Sequence, residues 1–343
     1  MRFYQTAEPE SVFEISEKTG VSPEILARST GVPLRGVVPG GVSLLLPAGA
    51  SGKFTVGSGI CTHFSEGRAE VVLCKAEPER SGGTPFDPLF GATCCRGGVL
   101  GERGVTQIRP ARKGSTPLPL LAPAAWTGAL PPPKDLAELL VRAGYAGLLL
   151  PVEEVMGHTV TEALSRLAPV FSDRNLILGI SLGERAFLNR ASFYVRLEPS
   201  PVLIFLSPAR HGVSLEERVR DLTDATDLPT RRKLLISLST GAVFSTHEKS
   251  APLPYGEALK LLLSSARAPW REDLLRCPLS LRGTEGLLTL EDPAALYPGL
   301  VRLGDAKIGG ISLSERHGMP FACEMISRLF RTAGGKAVGR SRR

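Results

Sequence analysis

The sequence has no hydrophobic run long enough to cross a membrane. Its longest apolar segments, Ala146 to Val152 and Pro201 to Leu206, are far shorter than the about 20 residues that a membrane-spanning helix needs. The first six residues, Met1 to Thr6, lack the apolar core of a secretory signal peptide. We therefore expect no membrane partner and no export by the general secretory route.

Metal-binding and cofactor-binding motifs are missing too. The six cysteines contain no CxxC pair, and the five histidines show neither HxxxH nor HExxH spacing. No P-loop is present, and the glycines of Gly97 to Gly101 neither follow a clear strand nor open a helix. We expect free thiols, no metal and no cofactor. The vicinal pair Cys94-Cys95 is interpreted as two buried small residues, with a redox role as the alternative.

The composition is that of a globular chain with a basic end. With 343 residues, 43% hydrophobic and 22% charged, it can fold into one large domain and a small one. The net charge of +7 is uneven, because Lys336, Arg340, Arg342 and Arg343 lie in a glycine-containing tail over residues 332–343. We predict that this tail is disordered. It either keeps the protein in solution or docks on an anionic polymer such as nucleic acid or a cell-wall glycan.

Residues 1–48 predict a small βααβ module. A β-type segment over Arg2 to Thr6 precedes a first helix, for which Ser11 and Glu14 form a capping box and Gly20 is the stop. Ser22 is predicted to cap a second helix that begins at Pro23. A turn and a short closing strand complete the module.

This module resembles a LysM domain, the small fold that binds glycans containing N-acetylglucosamine. The segment Val21 to Leu26 matches the second helix of that family, and Pro39 to Val42, leading to Leu46-Pro47, matches its final turn and strand. The family has Ala-Asn at Ser29-Thr30 and Pro-Gly-Asp at Glu8 to Glu10. The resemblance implies a peptidoglycan or chitin ligand; the alternative is a packing module that binds no sugar.

Beyond a short Gly-Ser linker at 49–52, strand-like and helix-like segments alternate. This alternation predicts a parallel α/β architecture, and eight candidate strands suit a (β/α)₈ TIM barrel. The candidates are Phe54 to Ile60, Glu70 to Cys74, Leu118 to Pro123, Ala146 to Val152, Leu176 to Leu182, Val202 to Leu206, Leu234 to Leu238 and Ile308 to Leu313.

Amphipathic helices are predicted between these strands. They cover Lys134 to Ala143, Thr161 to Val170, Leu215 to Leu222 and Ala258 to Ala266, where apolar residues recur at helical spacing. Residues 78–115 are the exception, because they are rich in Gly, Pro and Arg and show no helical period. We expect that segment to be irregular and the least ordered part of the barrel.

Over residues 52–331 the sequence resembles glycoside hydrolase family 18, in particular its LysM-bearing members from bacterial spores. Gly144 to Glu153 is similar to the family's fourth-strand motif Gly-Tyr-Asp-Gly-Val-x-Ile-Asp-Phe-Glu. Glu291-Asp292 before a helix, with Lys307 to Ser312 after it, is similar to the family's Phe-Glu-Asp run and eighth strand. The resemblance implies a spore-associated protein of the coat or cortex, or a cytoplasmic one, that acts on or binds an N-acetylglucosamine polymer.

The resemblance places Glu153 at the family's general acid. In that family the acid protonates the leaving oxygen while an aspartate two residues earlier orients the acetamido group of the substrate. Here Pro151 stands at the aspartate position, with Leu149 and Ala146 at the earlier two. Shifting the register to Glu154 puts Val152 at the aspartate position and restores nothing.

Two other family positions are altered as well. The Met-x-Tyr-Asp run of the sixth strand is replaced here by a segment with Pro208 and Ala209, and the tryptophan after the eighth strand by Leu313-Ser314. Glu153 is therefore a doubtful catalytic residue. It could instead be a solvated rim residue, an ion-pair partner of Arg185 or Arg210, or a hydrogen-bonding group in a sugar groove that does not cleave.

Around Glu153 we expect side chains that would contact a sugar. These substrate-binding candidates are Glu154, Tyr145, Trp126, Arg210 and His211. The favoured hypothesis is a peptidoglycan-binding protein with an inactive glycosidase-like barrel. The alternatives are an active N-acetylglucosaminidase that uses Glu153 as its acid, and a scaffold that recruits other spore proteins without binding sugar through the barrel. The oligomeric state stays open, and no specific nucleic acid is expected as a partner.

Overall fold

The computed structural model describes most of the chain from residue 2 to residue 329. The described residues are 2–46, 72–76, 92–98, 100–101, 104–105, 118–123, 130–145, 147–207, 212–238, 241–281, 283–314, 319, 321–322, 325–326 and 329. For the strands between 72 and 123, only the backbone is described. The predicted linker at 49–52 and the predicted tail at 332–343 lie outside these ranges.

The N-terminal module contains the predicted first strand, two helices and closing strand, together with two further two-residue strands that the sequence did not predict. Its elements are β1 (Arg2–Gln5), β2 (Glu10–Ser11), α1 (Val12–Thr19), α2 (Pro23–Thr30), β3 (Val37–Val38) and β4 (Ser43–Leu46). Strands β1 and β4 pair antiparallel, and so do β2 and β3. Val12, Ile15, Leu26 and Leu44 are among the side chains that fill its core.

The first helix begins and ends as its sequence predicts. The Ser11 side chain accepts the N–H of Glu14, whose carboxylate accepts the N–H of Ser11 at 2.7 Å, and Gly20 ends the helix with φ of 69°. This left-handed backbone conformation costs little free energy at a glycine, because glycine has no Cβ. The prediction for the second helix is wrong in one detail: Ser22 lies at its N-cap but makes no capping hydrogen bond through its side chain.

The larger part of the chain is a mixed α/β fold built on eight parallel strands. They pair in a closed ring, in the order β10, β11, β12, β13, β19, β5, β6, β9. The ring strands are β5 (Val72–Ala76), β6 (Ala92–Gly98), β9 (Leu118–Pro123), β10 (Gly147–Pro151), β11 (Ile177–Gly183), β12 (Leu203–Ser207), β13 (Leu234–Ser237) and β19 (Gly310–Ser314). A separate short pair joins β7 (Leu100–Gly101) to β8 (Gly104–Val105).

Seven of the ring strands overlap predicted ones, and β6 corrects the prediction for residues 78–115. That segment contains a strand, Ala92–Gly98, which pairs with β5 and β9. Its small residues give no hydrophobic signal, so its strand conformation depends on the neighbours on both sides. Cys94-Cys95 therefore lies on a ring strand and not in an irregular loop. The ring closes without the strand predicted at 54–60, whose residues lie outside the described part.

A helix is the next described element after each of β9, β10, β11 and β12, and all four predicted helices are confirmed. The helices are α3 (Pro133–Ala143), α4 (Gly157–Asp173), α5 (Glu184–Asn189), α6 (Ala191–Val195), α7 (Leu215–Ala225), α8 (Leu228–Arg231), α9 (Tyr255–Ser264) and α10 (Pro293–Asp305). Leu140, Leu164 and Leu167 on α3 and α4 share a buried cluster with Leu148 and Leu150 of β10. No helix in the described ranges is both long and apolar enough to cross a bilayer.

A five-stranded antiparallel sheet is inserted between β13 and β19, and the sequence did not predict it. Its order is β15, β14, β18, β17, β16. The strands are β14 (Gly241–Ser245), β15 (Ser250–Pro254), β16 (Trp270–Arg271), β17 (Leu275–Leu281) and β18 (Thr284–Leu290). The insertion leaves from the carboxyl end of β13, so the sheet lies at that end of the ring, here called the carboxyl rim.

Candidate functional site

Glu153 lies at the carboxyl rim, two residues after β10 ends at Pro151. Its side chain is exposed, and its Oε2 accepts the backbone N–H of Gly183 at 2.9 Å. A Cβ added to Gly183 would lie 2.9 Å from Glu153 Oε1, so a larger residue at position 183 would displace the carboxylate from this position. The end of the neighbouring strand β11 therefore holds the carboxylate of Glu153.

Alternation along β10 sets which residues share a face with Glu153. The side chains of Leu148, Leu150 and Val152 belong to the buried cluster that includes the helices. The side chain of Leu149 points the other way: it lies over Gly179 of β11, where an added Cβ would be 2.5 Å from its Cδ2. Because side chains alternate along a strand, Pro151 and Glu153 continue the Leu149 face toward the inside of the ring. The neighbours of Glu153 on its own strand are thus apolar.

The charge of Glu153 acts on the phenol of Tyr194, which lies on α6. Burial raises the pKa of its phenol, Arg190 lowers it, and the charge of Glu153 raises it further. The ring is 3% exposed and stacks on Phe187 with centroids 5.5 Å apart. No short sequence motif connects Tyr194, Arg190 or Gly183 to residue 153, so these residues could not be predicted from the sequence.

The other candidates do not all meet at Glu153. Glu154 is exposed beside it. Tyr145 is only 5% exposed and precedes the amino end of β10, whereas Glu153 follows its carboxyl end, and the strand between them spans roughly 16 Å. This position corrects the expectation that Tyr145 contacts a sugar beside Glu153. Trp126, Arg210 and His211 lie outside the described residues, as does Ala146.

Glu153 has no ion-pair partner in the described part of the chain. Its hydrogen bond to Gly183 takes the place of the ion pair that the sequence suggested with Arg185, and Arg210 lies outside the described residues. Nor does a second carboxylate bond to Glu153 there. In the same ranges, no group of three His, Cys, Asp or Glu side chains is arranged to hold a metal ion.

A buried ion pair lies directly beside the Glu153 contact. Glu184 follows Gly183 and is 0% exposed; its Oε2 accepts Arg218 Nη2 at 2.6 Å and Nε at 2.9 Å. Arg218 Nη2 also donates to the carbonyl of Ser237, the last residue of β13, at 2.8 Å. Arg218 on α7 therefore joins the carboxyl ends of two ring strands.

The two carboxylates at the end of β18 anchor helices. Glu291 is buried and accepts the N–H of Leu215, the first residue of α7, at 2.8 Å. Burial raises the pKa of Glu291, while its bond to Leu215 and the nearby Arg218 lower it. Asp292 caps α10 by accepting the N–H of Ala295 at 3.2 Å. The segment that resembles the family's Phe-Glu-Asp run thus precedes a helix and then strand β19, as expected.

Asp292 also holds the N-terminal module against the inserted sheet. It accepts the N–H of Ser43 at 2.6 Å and pairs with Arg271, which donates in turn to the carbonyl of Gly41 at 2.9 Å. The Ser43 hydroxyl accepts the N–H of Ala294 at 2.8 Å. Phe3 packs edge-on against Tyr297 of α10. The module is therefore packed on the inserted sheet and α10 rather than separate from them.

The sequence matches no family model and no curated protein. Its structure is similar to the spore cortex-lytic enzyme SleL of Bacillus megaterium QM B1551, with a TM-score of 0.58 at 10% identity over 96% of this chain and 86% of that one. The SleL of Bacillus cereus gives 0.56 at 13% identity, with the same coverage. A chitinase from Chromobacterium violaceum ATCC 12472 gives 0.55 at 11% identity over 75% of this chain and 98% of that one.

The chain shares its fold with spore cortex-lytic enzymes and a chitinase. The match to the two SleL structures covers 96% of the chain, enough to take in both the N-terminal module and the ring. At these identities the likeness is one of fold, and the chemistry of the rim has to be argued from its own residues.

Among the described residues, no second carboxylate bonds to Glu153, and its recorded partner is the N–H of Gly183. An acid that protonates a glycosidic oxygen needs a second group to stabilise or attack the anomeric carbon. Glu153 has Pro151 at the next position on its face and a backbone N–H as its partner. Its surroundings in the described residues can bind a hydroxyl or amide, but they supply no anion to orient an acetamido group.

Proposed function

We propose that this protein binds a polymer of N-acetylglucosamine, such as peptidoglycan, and does not cleave it. In this proposal residues 1–48 are a LysM-like glycan-binding domain, and residues 52–331 are a degenerate glycoside hydrolase family 18-like (β/α)₈ barrel. The observation that carries the proposal is Glu153 itself. It lies two residues beyond the carboxyl end of β10, with Pro151 where an orienting aspartate is required and with its carboxylate bonded to Gly183.

Three further features support binding. The structural neighbours include two spore cortex-lytic enzymes and a chitinase, whose names point to amino-sugar polymers. The N-terminal module keeps the order of strands and helices that resembles LysM. The module is fixed to the inserted sheet at Asp292, so that both units would face one polymer in a constant orientation. A spore-associated location, in the coat or cortex, follows from the same neighbours as part of this proposal.

The second candidate function is an active N-acetylglucosaminidase with Glu153 as the general acid. The observation that favours it is the position of Glu153, at the carboxyl end of a ring strand on the face that points inward. Catalytic residues of barrels of this kind lie at that rim. Tyr194, whose phenol pKa the charge of Glu153 raises, would then belong to the electrostatic surroundings of the general acid.

We expect the full-length protein to sediment with peptidoglycan sacculi and with chitin, and to release no reducing ends from either. Glu153→Gln should sediment to the same extent, because glutamine keeps an oxygen that can accept the N–H of Gly183. Sedimentation and a reducing-end assay on muropeptides measure both properties on the same samples. Turnover by the wild type that Glu153→Gln lacks would replace the binding proposal with the glycosidase.

The contribution of the module is best tested with a surface variant. Removing residues 1–48 would also take Ser43 and Gly41 away from Asp292 and Arg271, so lost binding would be confounded with lost stability. Phe13 lies on α1 of the module with 48% of its side chain exposed. We expect Phe13→Ser to weaken sedimentation about tenfold, because aromatic side chains dominate contact energies at binding surfaces.

The matched control is Val141→Ser on α3, where an apolar side chain is 55% exposed outside the module. This variant should sediment as the wild type does. Equal losses in both variants would show that the effect is a general one of surface polarity. Unchanged sedimentation of Phe13→Ser would remove this face of the module from the proposed glycan contact.

A further inference from the structure

A cavity of about 270 Å³ lies where the carboxyl end of α9 meets the hairpin of β17 and β18. Among the residues that line it are Leu261 of α9, Arg267 of the loop after that helix, Leu279 and Ser280 of β17, and Glu285 of β18. Strand β18 runs from this end of the sheet back to Leu290, beside the ring, and the part from Glu285 to Leu290 spans roughly 17 Å. The cavity is therefore a site apart from Glu153.

Two opposite charges line this cavity without pairing to each other. Arg267 and Glu285 are both exposed, and within the described part of the chain the side chain of neither one forms an ion pair or a hydrogen bond. By contrast, Arg276 on the same sheet is bonded to both Glu272 and Asp273. A free cation and a free anion at one cavity complement a ligand that carries both charges.

The backbone of β17 offers polar groups to the same cavity. Strand β16 pairs with β17 only at 275–276, and the described residues include no strand beside the rest of that edge. The hairpin closes with the pair Leu281 and Thr284 around a two-residue turn. This closing pair is hydrogen-bonded and the next pair, Ser280 and Glu285, is not. The N–H and C=O of Ser280 therefore point away from β18, toward the open edge.

Hydrogen bonds fix the loop that carries Arg267. The Ser265 hydroxyl donates to the carbonyl of Arg267 at 3.2 Å and accepts the N–H of Arg267 at 3.1 Å. The buried thiol of Cys277 lies 3.3 Å from the Ser265 hydroxyl oxygen and 3.4 Å from the carbonyl oxygen of Arg267. The backbone of Arg267 is thus held in place while its guanidinium stays unpaired. A ligand that binds this guanidinium does not have to order the loop first.

We infer that this cavity binds an amino-acid head group, a carboxylate and an ammonium on one carbon, an inference that goes beyond the proposed glycan binding and does not depend on it. Arg267 and the N–H of Ser280 bind the carboxylate, and Glu285 binds the ammonium. Leu261 and Leu279 contact the apolar part of the ligand. The volume is below the about 300–1,000 Å³ of pockets for drug-sized ligands, which suits a ligand as small as an amino acid.

Calorimetric titration of the full-length protein with leucine at millimolar concentration tests this site. We expect leucine to bind about tenfold more tightly than N-acetylleucine, which lacks the ammonium, and than leucinamide, which lacks the carboxylate. Arg267→Gln and Glu285→Gln should each weaken leucine binding about tenfold, because each removes one charge-assisted hydrogen bond. Both side chains are exposed, so the urea midpoint should stay at the wild-type value.

Two probes distinguish the sources of such a head group, which occurs on a free amino acid and on a diamino acid whose side chain is linked to a polymer. Nε-acetyllysine presents the head group on a side chain that ends in an amide. Tighter binding of this probe than of leucine indicates a polymer-linked ligand, and equal or weaker binding indicates a free amino acid.

The matched control is Lys260→Gln, which removes an exposed cation of α9 that does not line the cavity. It should bind leucine as the wild type does. The site is overturned if leucine does not bind, if leucine binds no more tightly than its blocked forms, or if Lys260→Gln shares the loss. All three variants should sediment with chitin as the wild type does. Failure of the wild type to bind chitin would therefore count against the glycan proposal and leave this site standing.

Discussion

Arg218→Met is expected to destabilise the folded protein by about 3–5 kcal/mol, the usual cost of removing one partner from a buried ion pair. Arg218 is 1% exposed and Glu184 is 0% exposed. In the described structure, Glu184 is the one carboxylate that forms hydrogen bonds with Arg218. Methionine preserves the length of the side chain but leaves the carboxylate of Glu184 buried without a cation. The carbonyl of Ser237 loses its donor in the same step.

A double-mutant cycle separates two contributions to the free energy of unfolding: the loss of the attraction between Arg218 and Glu184, and the cost of leaving the Glu184 carboxylate buried without a cation. Glu184→Leu combined with Arg218→Met should recover most of the lost stability, since buried pairs replaced by apolar residues are often neutral or stabilising. Unfolding in urea, followed by circular dichroism, gives the free energies. Arg220→Met is the control on the same helix, where the arginine is 53% exposed and its ion pairs span 4.0 Å, so a change under about 0.5 kcal/mol is expected.

The same variants show whether the pair positions Glu153. Glu184 is adjacent to Gly183, whose N–H binds the Glu153 carboxylate. In Arg218→Met, hydrogen exchange at the Gly183 amide should rise well before the protein unfolds globally, and in Arg220→Met it should not. Equal stability of Arg218→Met and Arg220→Met would contradict the buried pair as we describe it.

Asp292→Asn is expected to loosen the N-terminal module and to cost about 3 kcal/mol, because the charge partner of Arg271 is lost while the donors around it stay in place. Asp292 is 0% exposed and accepts from Ser43, Ala295 and Arg271. Asparagine has one oxygen and one N–H₂ group, so at least one of these donors faces another donor.

Two measurements report the loss of the Asp292 contacts in Asp292→Asn. The urea midpoint reports the stability, and hydrogen exchange of peptides over 41–46 reports the bond between Ser43 and Asp292. The control is Asp227→Asn, where the carboxylate caps the short helix α8 by accepting the N–H of Thr230 at 3.0 Å. It should cost less than about 0.5 kcal/mol, because asparagine caps a helix about as well as aspartate does, and it should leave exchange at 41–46 unchanged. A protected Ser43 amide in Asp292→Asn would show that other contacts hold the module.

Much of the secondary structure could be predicted from the sequence, because its signals are local. The capping box of Ser11 and Glu14 fixes the start of α1, and the apolar spacing of Leu136 and Leu140 fixes the buried side of α3. The strand predicted over Leu118 to Pro123 has the bounds that the structure gives it. In each case residues within about one or two turns of one another determine the conformation.

The candidate site was less predictable, because its contacts join distant parts of the chain. The strand position of Glu153 and the apolar residue Pro151 on its face follow from alternation alone. The partner of Glu153 is 30 residues away at Gly183, and that of Arg218 is 34 residues away at Glu184. Neither contact has a spacing that a short motif could reveal.

By itself the sequence determined the approximate positions of four helices and seven ring strands, and that the ring residues beside Glu153 are apolar. Only the tertiary structure decided that Ala92–Gly98 closes the ring, that a five-stranded sheet stands on its rim, and that Ser43 bonds to Asp292 across 249 positions. The physical reason is that local conformation depends on neighbours in the chain. Strand pairing and buried ion pairs depend instead on which distant backbone groups and charges fold into contact.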